Sequence, residues 1–132
     1  MLVKIDTKEK FIVLLLQDSI IYDNMAAELA ATCKEYLTAT VKNIILNFKN
    51  VSEVEDIAAK TIAELQQFFY EKNTSFVICE LQLAVENNFE KLGLLELMNV
   101  TPSESEAWDI VQMEEIEREL LDSDDFNFSA AT

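Results

Sequence analysis

The sequence predicts an α/β protein: a four- to five-stranded mixed β-sheet with helices packed on it. Three observations carry that reading. Strand-length apolar runs recur at residues 11–16, 43–48 and 75–79. Between them lie segments of helical length whose apolar residues return every three or four positions, the period of one helix face. A short alternating stretch at the start is separated from the first run only by the polar turn Thr7-Lys8-Glu9-Lys10. Two strands so closely joined pair antiparallel, whereas strands linked through helices run parallel.

The elements follow in order. Val3 and Ile5 alternate with Leu2, Lys4 and Asp6 as a first strand at the sheet's antiparallel edge. Residues 11–16 are continuously apolar, as expected of a strand covered on both faces. Residues 17–23 read as a connection with Ile20, Ile21 and Tyr22 packed beneath it. Asp23 or Asn24 can cap the free amides of a helix that extends to about Thr38. Its buried side is Ala26, Leu29, Ala30, Cys33 and Leu37. Residues 43–48 form a third strand and residues 49–55 a loop. Asp56 starts a second helix that runs to about Lys72 and buries Ala58, Ile62, Leu65, Phe68 and Phe69. Asn73 and Thr74 end it, and residues 75–79 are a fourth strand. A short helix over residues 85–92 turns Val85, Phe89 and Leu92 inward. It stops at Gly93, the chain's only glycine, where a left-handed cap belongs. Residues 94–99 hold a turn and a short fifth strand. Thr101-Pro102-Ser103-Glu104-Ser105-Glu106 brings together a capping hydroxyl, a proline near the first turn and early acids, the marks of a helix start. This extended C-terminal helix reaches Leu121. The pattern predicts one domain over residues 1–121 and an acidic, disordered tail over residues 122–132.

Composition narrows the function. The 132 residues carry a formal net charge of −15. The excess is uneven: residues 101–132 hold ten acids against Arg118 alone. A surface this acidic repels phosphate backbones and anionic lipid, so no nucleic-acid or membrane-surface partner is expected. There is no histidine, which excludes Ser-His-Asp and Cys-His nucleophile systems and imidazole metal sites. One glycine excludes Gly-rich phosphate loops. Cys33 and Cys79 stand far apart and form no C-x-x-C zinc pair; on apolar faces they read as small core residues rather than redox sensors. No apolar run approaches the ~20 residues of a membrane span, and the charges in Met1-Leu2-Val3-Lys4-Ile5-Asp6 do not fit a signal peptide. The expectation is a cytoplasmic, non-enzymatic protein with reduced thiols, no cofactor and no metal.

Three stretches resemble one known family. Asn43-Ile44-Ile45-Leu46-Asn47-Phe48-Lys49-Asn50-Val51-Ser52-Glu53-Val54-Glu55-Asp56 is similar to the third strand and following loop of the STAS domain, named for sulphate transporters and anti-sigma-factor antagonists. Leu92-Gly93-Leu94 after a short helix resembles the family's (T/L)GL. Ser103-Glu104-Ser105-Glu106-Ala107 resembles the start of its last helix. The resemblance spans about residues 1–115 and rests most on the order and spacing of the elements. The family's functional phrase runs roughly Val-(Ser/Thr)-x-Ile-Asp-Ser-(Ser/Ala)-Gly. Here it reads Val51-Ser52-Glu53-Val54-Glu55-Asp56-Ile57-Ala58. In antagonists of the partner-switching type, the Ser after the acid is phosphorylated by an anti-sigma-factor kinase. Asp56 stands at that Ser, Glu55 at the Asp and Ala58 at the Gly, so this chain resembles a divergent member that lacks the phospho-acceptor.

The resemblance implies a protein-binding regulatory domain. Its candidate partner-binding residues are Ser52, Glu53, Glu55, Asp56, Ile57 and Lys60, and its implied partner is a kinase-like anti-sigma factor. A phosphoserine carries about −1.5 to −2 charges at pH 7; Asp56 carries about one, permanently. Asp56 can be a fixed mimic of the phosphorylated loop, or only a helix cap in a solvated acidic turn. Ser52 can be an alternative phosphosite, or a loop hydroxyl bonded locally. Glu53, Glu55 and Asp56 lack the Gly-turned loop of a cation site. Trp108 near the start of the last helix is expected to pack on the domain. Met113, Ile116 and Leu120 extend that helix's apolar stripe, either over another surface of the domain or toward a partner. The alternative function is a structural STAS-like subunit of a transporter or sensory scaffold, which the missing acceptor and the added helix favour. An α/β sheet can also host an enzyme site at its strand ends, but no nucleophile–base pair is present for one.

Overall fold

The structure, a computed structural model, describes residues 1–121. The expected disordered tail at residues 122–132 lies outside the described residues.

The chain folds in the order β1 (Val3–Thr7), β2 (Phe11–Leu16), β3 (Ile20–Ile21), α1 (Asp23–Glu35), β4 (Asn43–Asn47), β5 (Glu53–Val54), α2 (Asp56–Glu71), β6 (Phe76–Cys79), α3 (Leu83–Lys91), β7 (Val100–Thr101) and α4 (Glu104–Leu121). Single 3₁₀ turns follow α1 at Tyr36–Thr38 and α3 at Leu95–Leu97. Five strands make one mixed sheet in the order β1-β2-β4-β6-β7. β1 is its antiparallel edge, and the other four run parallel, as connections through helices dictate.

The period of two in the strands sorts the core into two layers. Ile12, Leu14 and Leu16 of β2, with Ile44, Leu46, Phe76 and Ile78, face α1, α2 and α3. Phe11, Val13, Ile45, Val77 and Cys79 point the other way and are covered by α4 through Ala107 and Val111. Aromatic edges lock both layers. Phe69 of α2 meets Phe76 of β6 at 5.0 Å between centroids, and Trp108 of α4 meets Phe11 of β2 at 5.2 Å. Trp108 thus packs on the sheet as expected, and its indole N–H donates to Glu104 at 3.1 Å.

Helix ends follow local chemistry. Asn73 takes a left-handed φ of 55° just after α2, and Gly93 takes 74° just after α3, each satisfying the last carbonyls of its helix. Ser103 caps α4: its hydroxyl accepts from the Glu106 amide at 3.3 Å. Glu80, also left-handed at φ 61°, turns its carboxylate onto the Glu104 amide at 3.1 Å and adds a second cap that no local pattern announces.

Three features differ from the sequence reading, and a fourth decides between the two alternatives left open for the stripe of α4. The fifth strand is Val100–Thr101, because residues 95–97 coil into a 3₁₀ turn. The connection after β2 and the loop after β4 each contain a two-residue strand, and the two pair in parallel. Tyr22 is 47% exposed rather than packed, since only Ile21 of that segment points into the core. The apolar stripe of α4 does not continue inward. Met113, Ile116 and Leu120 are 59%, 56% and 57% exposed. The turns after Val111 present Glu114, Glu115 and Arg118 to the body instead. Glu114 accepts from the hydroxyls of Tyr70 at 2.8 Å and Ser75 at 2.6 Å. Arg118 donates to Asn43, Ser75 and Glu115 at 3.0–3.2 Å. The helix is docked at its start by apolar burial and beyond it by a hydrogen-bonded network.

Candidate functional site

The candidate residues sit where two helices begin side by side. β3 and β5 pair in register, Ile20 with Glu53 and Ile21 with Val54. Each strand is followed two residues later by an acid that opens a helix: Asp23 starts α1 and Asp56 starts α2. The ribbon therefore delivers both N-termini to the same place. Val51 and Val54, both buried, pin the segment from below. From Ser52 to Lys60 the polar side chains face outward.

One free amide of each helix is satisfied across the gap. Neither residue at the cap position, Tyr22 or Glu55, makes a side-chain cap to its own helix. Instead the Asp23 amide donates to the Glu55 carboxylate at 2.9 Å, and the Ala58 amide donates to the Asp23 carboxylate at 3.1 Å. Each acid also lies in the positive field at the start of the opposite helix. The Glu55 amide completes the clasp by donating to the Ile21 carbonyl at 3.0 Å. Asp23 thus does cap a helix, but it is α2 rather than its own.

Asp56 is the first residue of α2 and is exposed. It is not the cap of its helix, because Glu55 occupies that position and the capping oxygen comes from Asp23. Its carboxylate accepts a long bond from the Asn88 amide of α3 at 3.4 Å, while the same amide donates to the Val54 carbonyl at 3.0 Å. Ile57 beside it is 60% exposed, a large apolar side chain in the first turn of a helix with no core to fill. Lys60 is exposed one turn on. Ser52 is exposed, and both its amide and its hydroxyl donate to the Ser19 carbonyl, at 2.8 and 3.1 Å, so it ties the loop to the segment before β3.

Glu53, Glu55 and Asp56 do not converge. Glu55 turns to α1 and Asp56 to α3, and no group of three or more metal-ligating side chains forms among the described residues. Cys33 and Cys79 are both buried and free. Burial pushes each thiol up to about 12, with Glu104 and Glu80 adding to the effect at Cys79, which leaves both un-ionised at neutral pH.

Ser52, Glu53, Asp56, Ile57 and Lys60 therefore share one exposed rim, with Glu55 half-buried on its inner side. Asp23 and Asn88 belong to the same rim and were not among them. Asp23 had a faint signal: a β-branched residue two positions before an acid that opens a helix, at Ile21 and again at Val54. Asn88 had none, being a polar residue on a short helix.

Four parallel strands with an antiparallel edge, three helices on one face, α4 on the other and a polar segment opening α2 define a mixed-sheet α/β domain. The chain belongs to the STAS domain family, whose sequence profile matches residues 3–107. The match ends at Ala107, in the first turn of α4, so most of that helix lies beyond it. Solved structures share the fold at low identity. A Ser→Glu variant of RsbS from Moorella thermoacetica is 14% identical, with a TM-score of 0.71 over 88% of this chain and 97% of that one. The Bacillus anti-sigma-factor antagonist SpoIIAA, in its unphosphorylated form, is 17% identical, with a TM-score of 0.67 over 84% of this chain and 96% of that one. The murine Slc26a9 anion transporter is 17% identical, with a TM-score of 0.64 over 82% of this chain but only 18% of that one. No curated protein matches the sequence.

Proposed function

We propose that this chain is a non-enzymatic regulatory domain that binds a protein partner through the rim formed by Ser52, Glu53, Glu55, Asp56, Ile57 and Lys60, and that the partner is a kinase-like anti-sigma factor. The observation that carries the reading is the acid at the phospho-acceptor position. Asp56 is exposed at the start of α2, on a loop braced by the cross-capping of Asp23 and Glu55, and it stands beside the exposed apolar anchor Ile57. A braced loop presents charge and apolar surface at little entropic cost on binding. Control that other antagonists exert by phosphorylation is here a fixed charge of about one unit, against about −1.5 to −2 for a phosphoserine. A cytoplasmic setting fits this role.

Affinity capture of the tagged chain from its own cells, followed by titration calorimetry with the recovered partner, tests the proposal. Recovery of a kinase-type protein is expected, and Asp56→Lys is expected to change its dissociation constant by about tenfold, 1.4 kcal/mol, or more. An unchanged constant overturns the reading. The second reading is a structural subunit of a transporter or scaffold. It is favoured by the missing acceptor and by the Slc26a9 likeness, in which the shared fold is a small part of a transporter chain. Recovery of permease or scaffold subunits in the same capture decides for it.

A further inference from the structure

β1 is the outer strand of the sheet, and no strand among the described residues pairs with its free edge. Lys4, Ile5, Asp6 and Thr7 are all exposed, Ile5 at 51%. The ladder with β2 fixes which main-chain groups face outward. The Lys8 amide donates to the Phe11 carbonyl at 2.8 Å, and the Gln17 amide to the Leu2 carbonyl at 3.0 Å. Hydrogen-bonded and non-bonded pairs alternate along an antiparallel ladder. So Lys4 and Asp6 direct their backbone groups to β2, while the N–H and C=O of Val3, Ile5 and Thr7 point away from the sheet. An edge of that kind is a template for another strand unless something guards it.

The guard here is Lys4 and Asp6, and it is selective. Within the chain Lys8 already holds the Asp6 carboxylate at 3.1 Å; against a strand of arbitrary sequence Lys4 and Asp6 gain no further partner or repel. Against a second β1 laid antiparallel and centred on Ile5, they match. Ile5 faces Ile5, Val3 faces Thr7, and Lys4 faces Asp6 at both ends of the pair. The outward groups of Val3, Ile5 and Thr7 then fall on hydrogen-bonded pairs. Lys4 and Asp6 fall on the non-bonded pairs, where opposing side chains approach most closely. The exposed Ile5 side chain packs on its own symmetry mate.

We infer that two copies of this chain associate edge to edge through β1, antiparallel about Ile5, to make one continuous sheet. The two-fold axis runs perpendicular to that sheet. It keeps α1, α2 and α3 of both copies on one side, α4 of both on the other, and turns the two copies of residues 52–60 toward opposite ends. This association does not rest on the partner-binding reading above. The short contact predicts a weak, isologous dimer.

Sedimentation equilibrium of the full chain from micromolar to millimolar concentration, at ~150 mM salt to screen the net charge, tests it. A concentration-dependent monomer–dimer equilibrium is expected. Lys4→Asp sets acid against acid, and Asp6→Lys sets base against base, so each variant alone is expected to remain monomeric. Their equimolar mixture is expected to dimerise, because the all-acidic strand then faces the all-basic one. Ile5→Pro removes only an outward N–H and leaves the ladder to β2 intact; it is expected to be monomeric with an unchanged circular dichroism spectrum. A wild type that stays monomeric throughout overturns the inference. So does a dimer that survives all three substitutions, or a loss of dimer that mixing the two charge variants does not restore.

Discussion

Asp23 and Glu55 do at two helix starts what a local serine or threonine usually does at one. Each supplies an oxygen to an amide that would otherwise lack a partner. Asp23→Ala leaves the Ala58 amide without its acceptor and is expected to cost about 1 kcal/mol, read as a lower urea midpoint with an unchanged slope. Asp23→Asn keeps an acceptor and is expected to cost less. At the other end of the molecule, the Asn43 amide holds the Glu115 carboxyl below the usual carboxylate range. The Arg118 guanidinium adds to this, while partial burial opposes it. A carboxyl with a lower pKa folded than unfolded stabilises the folded chain above its unfolded pKa, and that contribution is lost as the pH falls through the folded value. The wild type is therefore expected to lose more stability than Glu115→Gln between ~pH 5 and ~pH 3, compared by urea titration at each pH.

At the scale of elements, the end of α3 is where sequence and structure agree most closely. Gly93 ends α3 at φ 74°, and an added Cβ there meets nothing within 4 Å. Gly93→Ala is thus a pure backbone test. It is expected to cost about 1 kcal/mol, the penalty of a left-handed alanine, measured by chemical denaturation. α4 shows the opposite lesson. Its inner face continues past Val111 as Glu114, Glu115 and Arg118, at the same three- and four-residue spacing that apolar residues would use. A reading that followed hydrophobicity traced Met113, Ile116 and Leu120, which face solvent. Half-buried polar groups satisfied by distant partners leave no apolar period to find.

For the whole molecule, one sheet serves two cores. The larger, under α1, α2 and α3, positions the rim that opens α2. The smaller joins α4 to the opposite face. The family match spans the sheet and the larger core and stops as α4 begins. Around this scaffold the formal charge of −15 repels itself. Raising salt from ~10 mM to ~150 mM, which shortens the Debye length from about 30 to about 8 Å, is expected to raise the melting temperature in a calorimetric scan. A flat response would mean that the acids are balanced locally.

By itself the sequence determined the types and order of the main elements, the antiparallel edge, the glycine cap after α3 and the place of the acid at the start of α2. Those features are written in local periods of two and of 3.6 and in the chemistry of single residues, so a stretch of ten residues contains them. The tertiary structure alone decided the β3–β5 ribbon, the cross-capping of Asp23 and Glu55, the hold of Asn88 on the loop, and the polar anchoring of α4. Two-residue strands have no period of their own, and a carboxylate does not announce which amide it will meet. The partners in these contacts lie between 32 and 75 residues apart. Their energy exists only once the sheet has brought those segments together.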